Sequence, residues 1–308
     1  MRDTPAEGAA SVEPFIDAHQ HFWNLAINPY PWLQGETVPN FRYGDYSALR
    51  RSYLPEDLAR DTAGCAPVKS VHVEAELARA NPVDETDWLT QLAAQTGRPT
   101  VIVGHAQLDR GDVGEVLAGH AACAMMRGIR NKPVTAARRE DARRGVPGSM
   151  DDERWRRGYA LLARHGMSFD LQAPWWNLDQ AAALARDFPG TQLILNHTGL
   201  PADRSEAGLA GWRAAMAGLA GQPNVAVKIS GLGLPGKPWT QADNVPVIRD
   251  AITIFGTERC MFASNYPVDS LVASYGTIVA GFRAAIAIYS PAQQRALWHD
   301  NAVRFYRL

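Results

Sequence analysis

Two histidines and an aspartate occupy alternate positions in the segment Phe15-Ile16-Asp17-Ala18-His19-Gln20-His21. In a strand, successive side chains point to opposite faces, which groups Asp17, His19 and His21 and sets Ile16 and Ala18 on the other side. Two imidazoles about 7 Å apart along a strand, backed by a carboxylate, make half of a metal site or half of a proton-handling site. The alternative is a polar strand end with two satisfied histidines, because imidazole serves in many roles. The choice turns on whether other segments bring partners to the same place.

Alternation along the rest of the chain supplies such partners. One set of alternate residues is apolar and expected to pack on helices: Val71, Val73 and Ala75; Phe169, Leu171 and Ala173; Val225, Val227 and Ile229. The other set is polar towards each strand's end: His72, Glu74 and Glu76; Arg130; Asp170 and Gln172; His197; Lys228 and Ser230; Asn265. Ionisable groups gathered on one face are costly to bury unless paired or engaged with a ligand. The remaining histidines divide in expectation: His72 and His105 belong to the core or stand behind a site, and His120, His165 and His299 lie on helix surfaces.

The elements that must position these groups follow a single rhythm. Short apolar runs begin at Phe15, Lys69, Thr100, Met126, Met167, Thr191, Asn224 and Cys260, with helical patterns at 84–97, 152–166, 177–188, 206–221 and 245–256. The last helix opens on Ser290-Pro291-Ala292-Gln293, a capping box with proline in the first turn. Eight β-then-α units in series predict an α/β chain forming one (β/α)8 TIM-type barrel over 15–308, preceded by a flexible tail at 1–14. The longest gap follows the first strand, a long loop where Asn28-Pro29-Tyr30-Pro31-Trp32-Leu33 suggests a stiff flap over the barrel mouth; an ordinary surface insertion fits equally.

Composition narrows the function classes. Lys and Arg total 31 against 32 Asp and Glu, so the chain lacks the electrostatic footprint of a nucleic-acid binder. The arginine-rich stretch 138–157 is interleaved with acidic residues and reads as a solvated surface. Three scattered cysteines with no C-x-x-C spacing suit a reducing cytosol, and no apolar run reaches the roughly 18 residues of a membrane span. No signal-peptide pattern opens the chain, so a cytoplasmic protein is expected, with a small-molecule substrate and with self-association left open. The phosphate-binding P-loop pattern, H-E-x-x-H and G-x-S-x-G are absent from the sequence.

Ile16-Asp17-Ala18-His19-Gln20-His21-Phe22-Trp23, Tyr30-Pro31-Trp32-Leu33, Gly128-Ile129-Arg130, Ser168-Phe169-Asp170-Leu171-Gln172, Leu195-Asn196-His197-Thr198-Gly199, Val227-Lys228-Ile229-Ser230-Gly231-Leu232 and Met261-Phe262-Ala263-Ser264-Asn265-Tyr266-Pro267-Val268 together resemble the amidohydrolase superfamily. The likeness is to its amidohydrolase-related branch of sugar-acid lactonases and pyrone-dicarboxylate lactonase, over nearly the whole chain. It implies a hydrolase in carbohydrate-acid metabolism. His19 and His21 match the first-strand His-x-His, His197 the sixth-strand histidine, and Arg130 a fourth-strand arginine that grips an anionic or carbonyl group. Two departures stand out: Asn265 occupies the eighth-strand slot where the family usually has aspartate, and Gln172 stands where metal-binding relatives often place histidine. Some relatives use no metal.

Opening a lactone requires a polarised carbonyl, an activated water and a donor for the leaving alkoxide. The resemblance implies that a divalent ion, zinc by ligand chemistry, is held by His19, His21, Glu74 and His197, or that Arg130 and the histidines polarise the carbonyl without metal. His197 is the expected base, with Asp17, Glu74 and Asp269 as other proton acceptors, because the Asn265 amide only orients through hydrogen bonds. Lys228, Gln172, Trp32, Tyr266 and Asp269 are expected to bind substrate, with a Lys228–Asp170 pair as the structural alternative. Rival functions are a metal-dependent non-oxidative decarboxylase of an aromatic or unsaturated acid, and a non-catalytic barrel that binds a sugar acid.

Overall fold

β-Branched and apolar runs bounded by proline, glycine or asparagine become the eight strands of a computed structural model, which describes residues 14–308 apart from Asn40 and Arg79. The tail expected at 1–14 therefore lies outside the described residues but for Pro14. The strands are β1 Ile16–Gln20, β2 Lys69–Val73, β3 Val101–His105, β4 Met126–Asn131, β5 Ser168–Leu171, β6 Leu193–Leu195, β7 Val225–Ile229 and β8 Cys260–Phe262. Each pairs in parallel with the next, in the order β1 to β8. The ring closes just past the ends of β1 and β8: Asn265 N–H donates to the His19 carbonyl and His21 N–H to the Tyr266 carbonyl, both at 2.8 Å. The chain is a (β/α)8 barrel of the TIM type.

Helices α1 Pro31–Gln34 and α2 Pro55–Asp61 lie in the long loop after β1. The connecting helices are α3 Asp84–Thr96, α4 Val113–Ala121, α5 Glu153–Leu161, α6 Leu178–Asp187, α7 Glu206–Ala220, α8 Gln241–Phe255 and α9 Tyr275–Ile286, followed by α10 Pro291–Arg295 and α11 Asn301–Tyr306. The sequence reading omits α4 and α9, and it starts α8 four residues late. The Thr240 side chain accepts from Asp243 N–H and begins that helix ahead of Pro246. At α10 the expected capping box is present. No helix among the described residues is long and apolar enough to cross a membrane.

Two apolar clusters divide the core. The larger lies between strands and helices and takes in Phe169, Leu171, Val225, Val227 and Ile229. The smaller fills the barrel's interior at the strand starts: Ile16, Ala18, Val71, Val73, Val101, Val103, Ile194, Ala226 and Met261 surround Tyr306 of α11. Val71 and Val73 thus face inward, against expectation, and His72 faces the helices, where it accepts from Phe22 N–H at 3.1 Å. His120 is also not a surface residue. Fully buried on α4, it sits with Nε2 2.8 Å from the His105 carbonyl and Nδ1 3.0 Å from the Thr86 hydroxyl.

A register irregularity between Asp17 and Gln20 puts one extra residue in β1 and breaks its simple alternation. Ile16 and Ala18 face the interior, Asp17 faces the helices, and the strand then changes phase so that His19 and His21 reach the mouth. Above the interior cluster, Lys228 Nζ donates to Asp170 Oδ1 at 2.5 Å and the Tyr306 hydroxyl donates to the same oxygen at 2.8 Å. The ammonium also lies 4.9 Å from the Tyr306 ring centroid. Phenylalanine at 306 would leave this buried carboxylate with one donor fewer. Tyr306→Phe is expected to lower unfolding free energy by about 1–3 kcal/mol in urea titration, and an unchanged midpoint would contradict a structural role for this hydroxyl.

Candidate active site

The strand ends and the loop after β1 enclose a cavity of about 190 Å³, walled by His21, Arg130, Gln172, His197 and Asn265 below and by Trp23, Trp32, Phe41 and Arg42 above. The loop is a pinned lid. Trp32 Nε1 donates to the Ala75 carbonyl at 2.9 Å, and the Tyr46 hydroxyl donates to the Trp32 carbonyl at 2.9 Å. The Trp32 and Phe41 rings stack with centroids 6.0 Å apart and planes 6° from parallel. Of the two expectations for this segment, the flap over the mouth is the one the structure has.

At the floor, His19 Nε2 and His21 Nε2 stand 3.2 Å apart, and Asn265 Oδ1 lies 3.3 Å from His21 Nε2. His21 Nδ1 is 2.7 Å from the Val73 carbonyl, which assigns the proton to Nδ1 and leaves a lone pair on Nε2. His197 places Nδ1 2.8 Å from the Ser230 hydroxyl, and its ring centroid is 4.8 Å from that of His19. All three imidazoles are neutral at neutral pH. Burial holds His21 down to about 3, with Arg130 adding to the effect. Burial also holds His19 and His197 well below the usual range, helped by Lys228 at His19 and by Arg42 and Arg130 at His197.

Arg130 is the buried cation of the mouth. Its Nε donates to Glu74 Oε1 at 2.6 Å, Nη2 to the Glu74 carbonyl, and Nη1 to Gln172 Oε1 at 3.4 Å. Burial would raise the Glu74 carboxyl, but Arg130 outweighs it and holds Glu74 well below the ordinary carboxylate range. The other Glu74 oxygen accepts from Glu76 N–H at 2.8 Å, and Glu76 pairs with Lys132. Local backbone geometry makes these placements: Glu76, His197 and Asn265 all have positive φ, at 62°, 54° and 58°. For residues with a Cβ this conformation costs about 1 kcal/mol or more, and such strain concentrates at functional sites. Gly231, at φ 60°, leaves room where a Cβ would lie 2.0 Å from Arg42 Nη2 and 2.8 Å from His197 Nδ1.

Several expected site residues lie elsewhere. The Asp17 carboxylate accepts from His19 N–H, Ser264 N–H, the Ser264 hydroxyl at 2.5 Å and the Tyr275 hydroxyl at 3.1 Å; it holds β1 to β8 and α9 and does not enter the mouth. Lys228 is committed to Asp170 below the floor, the structural alternative to substrate binding. Tyr266 packs on Tyr275 and donates its hydroxyl to the Ala273 carbonyl. Asp269 stands behind Asn265, accepting from its Nδ2 at 2.6 Å and from the Tyr43 hydroxyl at 2.9 Å, and burial lifts its carboxyl to about 6. Gln172 and Trp32 do line the cavity. Arg42, Phe41, Trp23 and Lys132 line it too and escape the sequence reading; Phe41-Arg42-Tyr43, a cation between aromatics within the long loop, is the signal that was there to use.

The expected metal set His19, His21, Glu74 and His197 is not assembled. Among the described residues no three His, Cys, Asp or Glu side chains converge on a point where an ion would sit, because Glu74 is spent on Arg130 and Glu76 N–H. Part of the set fits. Two imidazoles on one tetrahedral zinc at about 2.05 Å would place their nitrogens about 3.3 Å apart, close to the His19–His21 separation. The Asn265 amide oxygen is a third neutral donor beside them.

A family model described as amidohydrolase matches residues 16–308. The uncharacterized protein y4mH of Sinorhizobium fredii is 42% identical over 95% of this chain and 98% of its own length. An L-fucono-1,5-lactonase of Burkholderia multivorans is 32% identical over 95% of this chain and 96% of its own. Crystal structures of an amidohydrolase from Burkholderia multivorans, one with bound HEPES and one with bound zinc, align with TM-scores of 0.78 and 0.76 at 30% identity, over 96% of this chain and 99% of theirs.

Behind the mouth, Glu85 of α3 accepts from Ala75 N–H at 3.1 Å and from the Tyr30 hydroxyl at 3.0 Å, tying the loop to the end of β2. Burial, then the Glu74 charge, raises its carboxyl to about 8. The folded state thus binds this proton more tightly than the unfolded chain. Its stabilising effect is full below the ordinary value of 4.5 and is lost as pH rises to about 8, with a slope of at most about 1.4 kcal/mol per pH unit. Urea titrations from pH 5 to 8 are expected to show wild type losing stability relative to Glu85→Gln. A pH-independent difference between the two would contradict the raised carboxyl.

Proposed function

This chain belongs to the amidohydrolase family, and from that premise we propose that it is a lactonase, opening a sugar-acid lactone or related cyclic ester by attack of water on the carbonyl. The observation that carries the reading is the pairing, across one small cavity, of a buried guanidinium at Arg130 with a neutral imidazole at His197. Trp32 and Phe41 offer a flat apolar wall for a ring, and Gln172 a hydrogen-bonding edge. The named Burkholderia lactonase gives the coarser frame, a hydrolase, its chemical content.

In this reading Arg130 and the Asn265 amide orient the lactone carbonyl over the floor. Water adds to the carbonyl carbon and its proton passes to His197 Nε2, the ring nitrogen not engaged with Ser230. Burial, helped by Arg42 and Arg130, makes His197 a weak base, and negative charge developing on the carbonyl oxygen offsets the arginines' repulsion of the imidazolium. Collapse of the tetrahedral adduct breaks the ring C–O bond, and His197 returns the proton to the departing alkoxide, giving the hydroxy acid. A zinc ion held by His19, His21 and Asn265 Oδ1 would supply carbonyl polarisation and a more acidic water. The aromatic lid removes part of the bulk water around these groups, which strengthens their interactions.

Acid release across a panel of aldono-1,4- and 1,5-lactones, L-fucono-1,5-lactone included, tests the proposal. His197→Ala is expected to lower kcat by about 10²–10⁴-fold with the fold intact by circular dichroism. A panel hydrolysed no faster than in buffer would end the lactonase reading. Metal analysis gives an independent check on the floor: protein grown with zinc is expected to carry close to one equivalent, and His21→Ala to lose it. Equal zinc in wild type and variant would remove these imidazoles as ligands.

A further inference from the structure

We propose that Asp269 and Tyr43 are positioning residues that act through Asn265: they hold its amide oxygen toward the floor and make that orientation depend on the lid. The inference rests on the lactonase reading for its chemistry, and on the following geometry for the residues. Asp269 lies in the turn Val268–Leu271 just after β8, buried and not among the residues that wall the mouth. Its Oδ1 accepts from Asn265 Nδ2 at 2.6 Å and from the Tyr43 hydroxyl at 2.9 Å, and its backbone N–H donates to the Asn265 carbonyl at 3.1 Å. Tyr43 comes from the lid. Its ring sits against Gly233, where a Cβ would lie 3.0 Å from Cε1, and its oxygen accepts from Arg42 Nη2 at 2.9 Å. The bonds thus run in one direction, from Arg42 through Tyr43 to Asp269, and meet there the bond from Asn265.

A side-chain amide keeps its shape when turned end for end, so its partners decide which end faces the mouth. His21 alone would favour the nitrogen. Its proton is on Nδ1, toward the Val73 carbonyl, and the lone pair on Nε2 would accept an N–H from an amide turned the other way. The structure instead sets Asn265 Oδ1 3.3 Å from His21 Nε2, acceptor facing acceptor. Asp269 accounts for that choice. A carboxylate accepts and does not donate, so only the NH2 end can face it, and a bond to a charged acceptor is stronger than one between neutral groups.

Two acceptors held together in this way suit a cation, or the O–H of a water, arriving beside both. The carboxylate also polarises the amide through its N–H, so the Asn265 oxygen carries more negative charge than a free amide would. Asp269 thereby supplies from behind part of the charge that an aspartate at position 265 would bring. Tyr43 ties this arrangement to the lid. Its hydroxyl reaches the same Asp269 oxygen that holds the amide, so lifting the lid withdraws one of the donors that fix the carboxylate. Trp32, Phe41 and Arg42 wall the mouth from the same loop. Covering a substrate and fixing the amide are then one event.

A double-mutant cycle tests the assignment, read both as zinc affinity, by competition with a chromogenic chelator, and as kcat on the best lactone of the panel. Asp269→Ala is expected to weaken zinc binding at least about tenfold and Tyr43→Phe about threefold, each lowering kcat more than it changes KM. In an Asn265→Ala background both effects are expected to shrink below about twofold, because residues that act through the amide have nothing left to position. Effects of full size in that background, or zinc affinity and kcat unchanged in both single variants, would overturn the assignment and leave these bonds as supports of the fold. Should Asp269→Ala fail to fold, Tyr43→Phe, which keeps the ring, decides. Should wild type hold no zinc, kcat carries the cycle by the same criteria. A cycle that holds for zinc in a protein opening no lactone would sink the lactonase reading and support the positioning role. Lactones opened by a protein whose cycle is additive would do the reverse, and wild type with neither zinc nor turnover would overturn both.

Discussion

The seam between β1 and β8 is the constraint on which the site depends. Parallel strands satisfy each other's backbone groups only when the ring closes, and here closure falls to the residues that also form the floor. His19 gives its carbonyl to Asn265 N–H, and His21 gives its N–H to the Tyr266 carbonyl. The Asp17 carboxylate fastens the same seam from the helix side through Ser264 and Tyr275. Imidazoles and amide are therefore set by the hydrogen bonds that complete the sheet, and the extra residue in β1 is what turns both histidines to the mouth while Asp17 remains behind.

Electrostatics follow from that closure. A ring of buried polar groups survives in an apolar setting only when each charge has a counterpart. Glu74 answers Arg130 and Asp170 answers Lys228, so the interior is nearly neutral charge by charge. Burial first, and then the excess of cations near them, keeps the histidines neutral, with lone pairs for whatever enters. The remaining positive character of the mouth faces the lid side, at Arg42.

Much of the scaffold was legible because strand alternation and turn residues are local properties. The start of every strand is found to within two residues of its expected position. Two helices and the Thr240 cap were missed among local signals, but the failures around the site are non-local. Asp17 lies on the wrong face because a bulge is a fact of pairing, invisible in one strand alone. Val71 and Val73, expected against the helices, face inward, since both faces of a barrel strand are buried and apolar at its start and composition does not tell them apart. Arg42 belongs to a loop with no period to read, and only the folded loop brings it beside His197. Glu85 looks like any acidic residue in the first turn of a helix until Tyr30 and Ala75 close on it.

The plug formed by α11 also bears on how the chain assembles. Its aromatic ring fills space among strands whose first member begins at Ile16 and whose last ends at Phe262, so the interior gathers segments separated by nearly the whole polypeptide. A ribosome delivers those segments in order, and the earliest strand must wait, unpaired along one edge, until the latest has emerged. Contacts of such long sequence separation slow folding and leave apolar edges open to wrong partners in the interval. Shielding of the nascent first strand, by chaperone or by transient pairing with β2, is the burden that this closed architecture places on the cell.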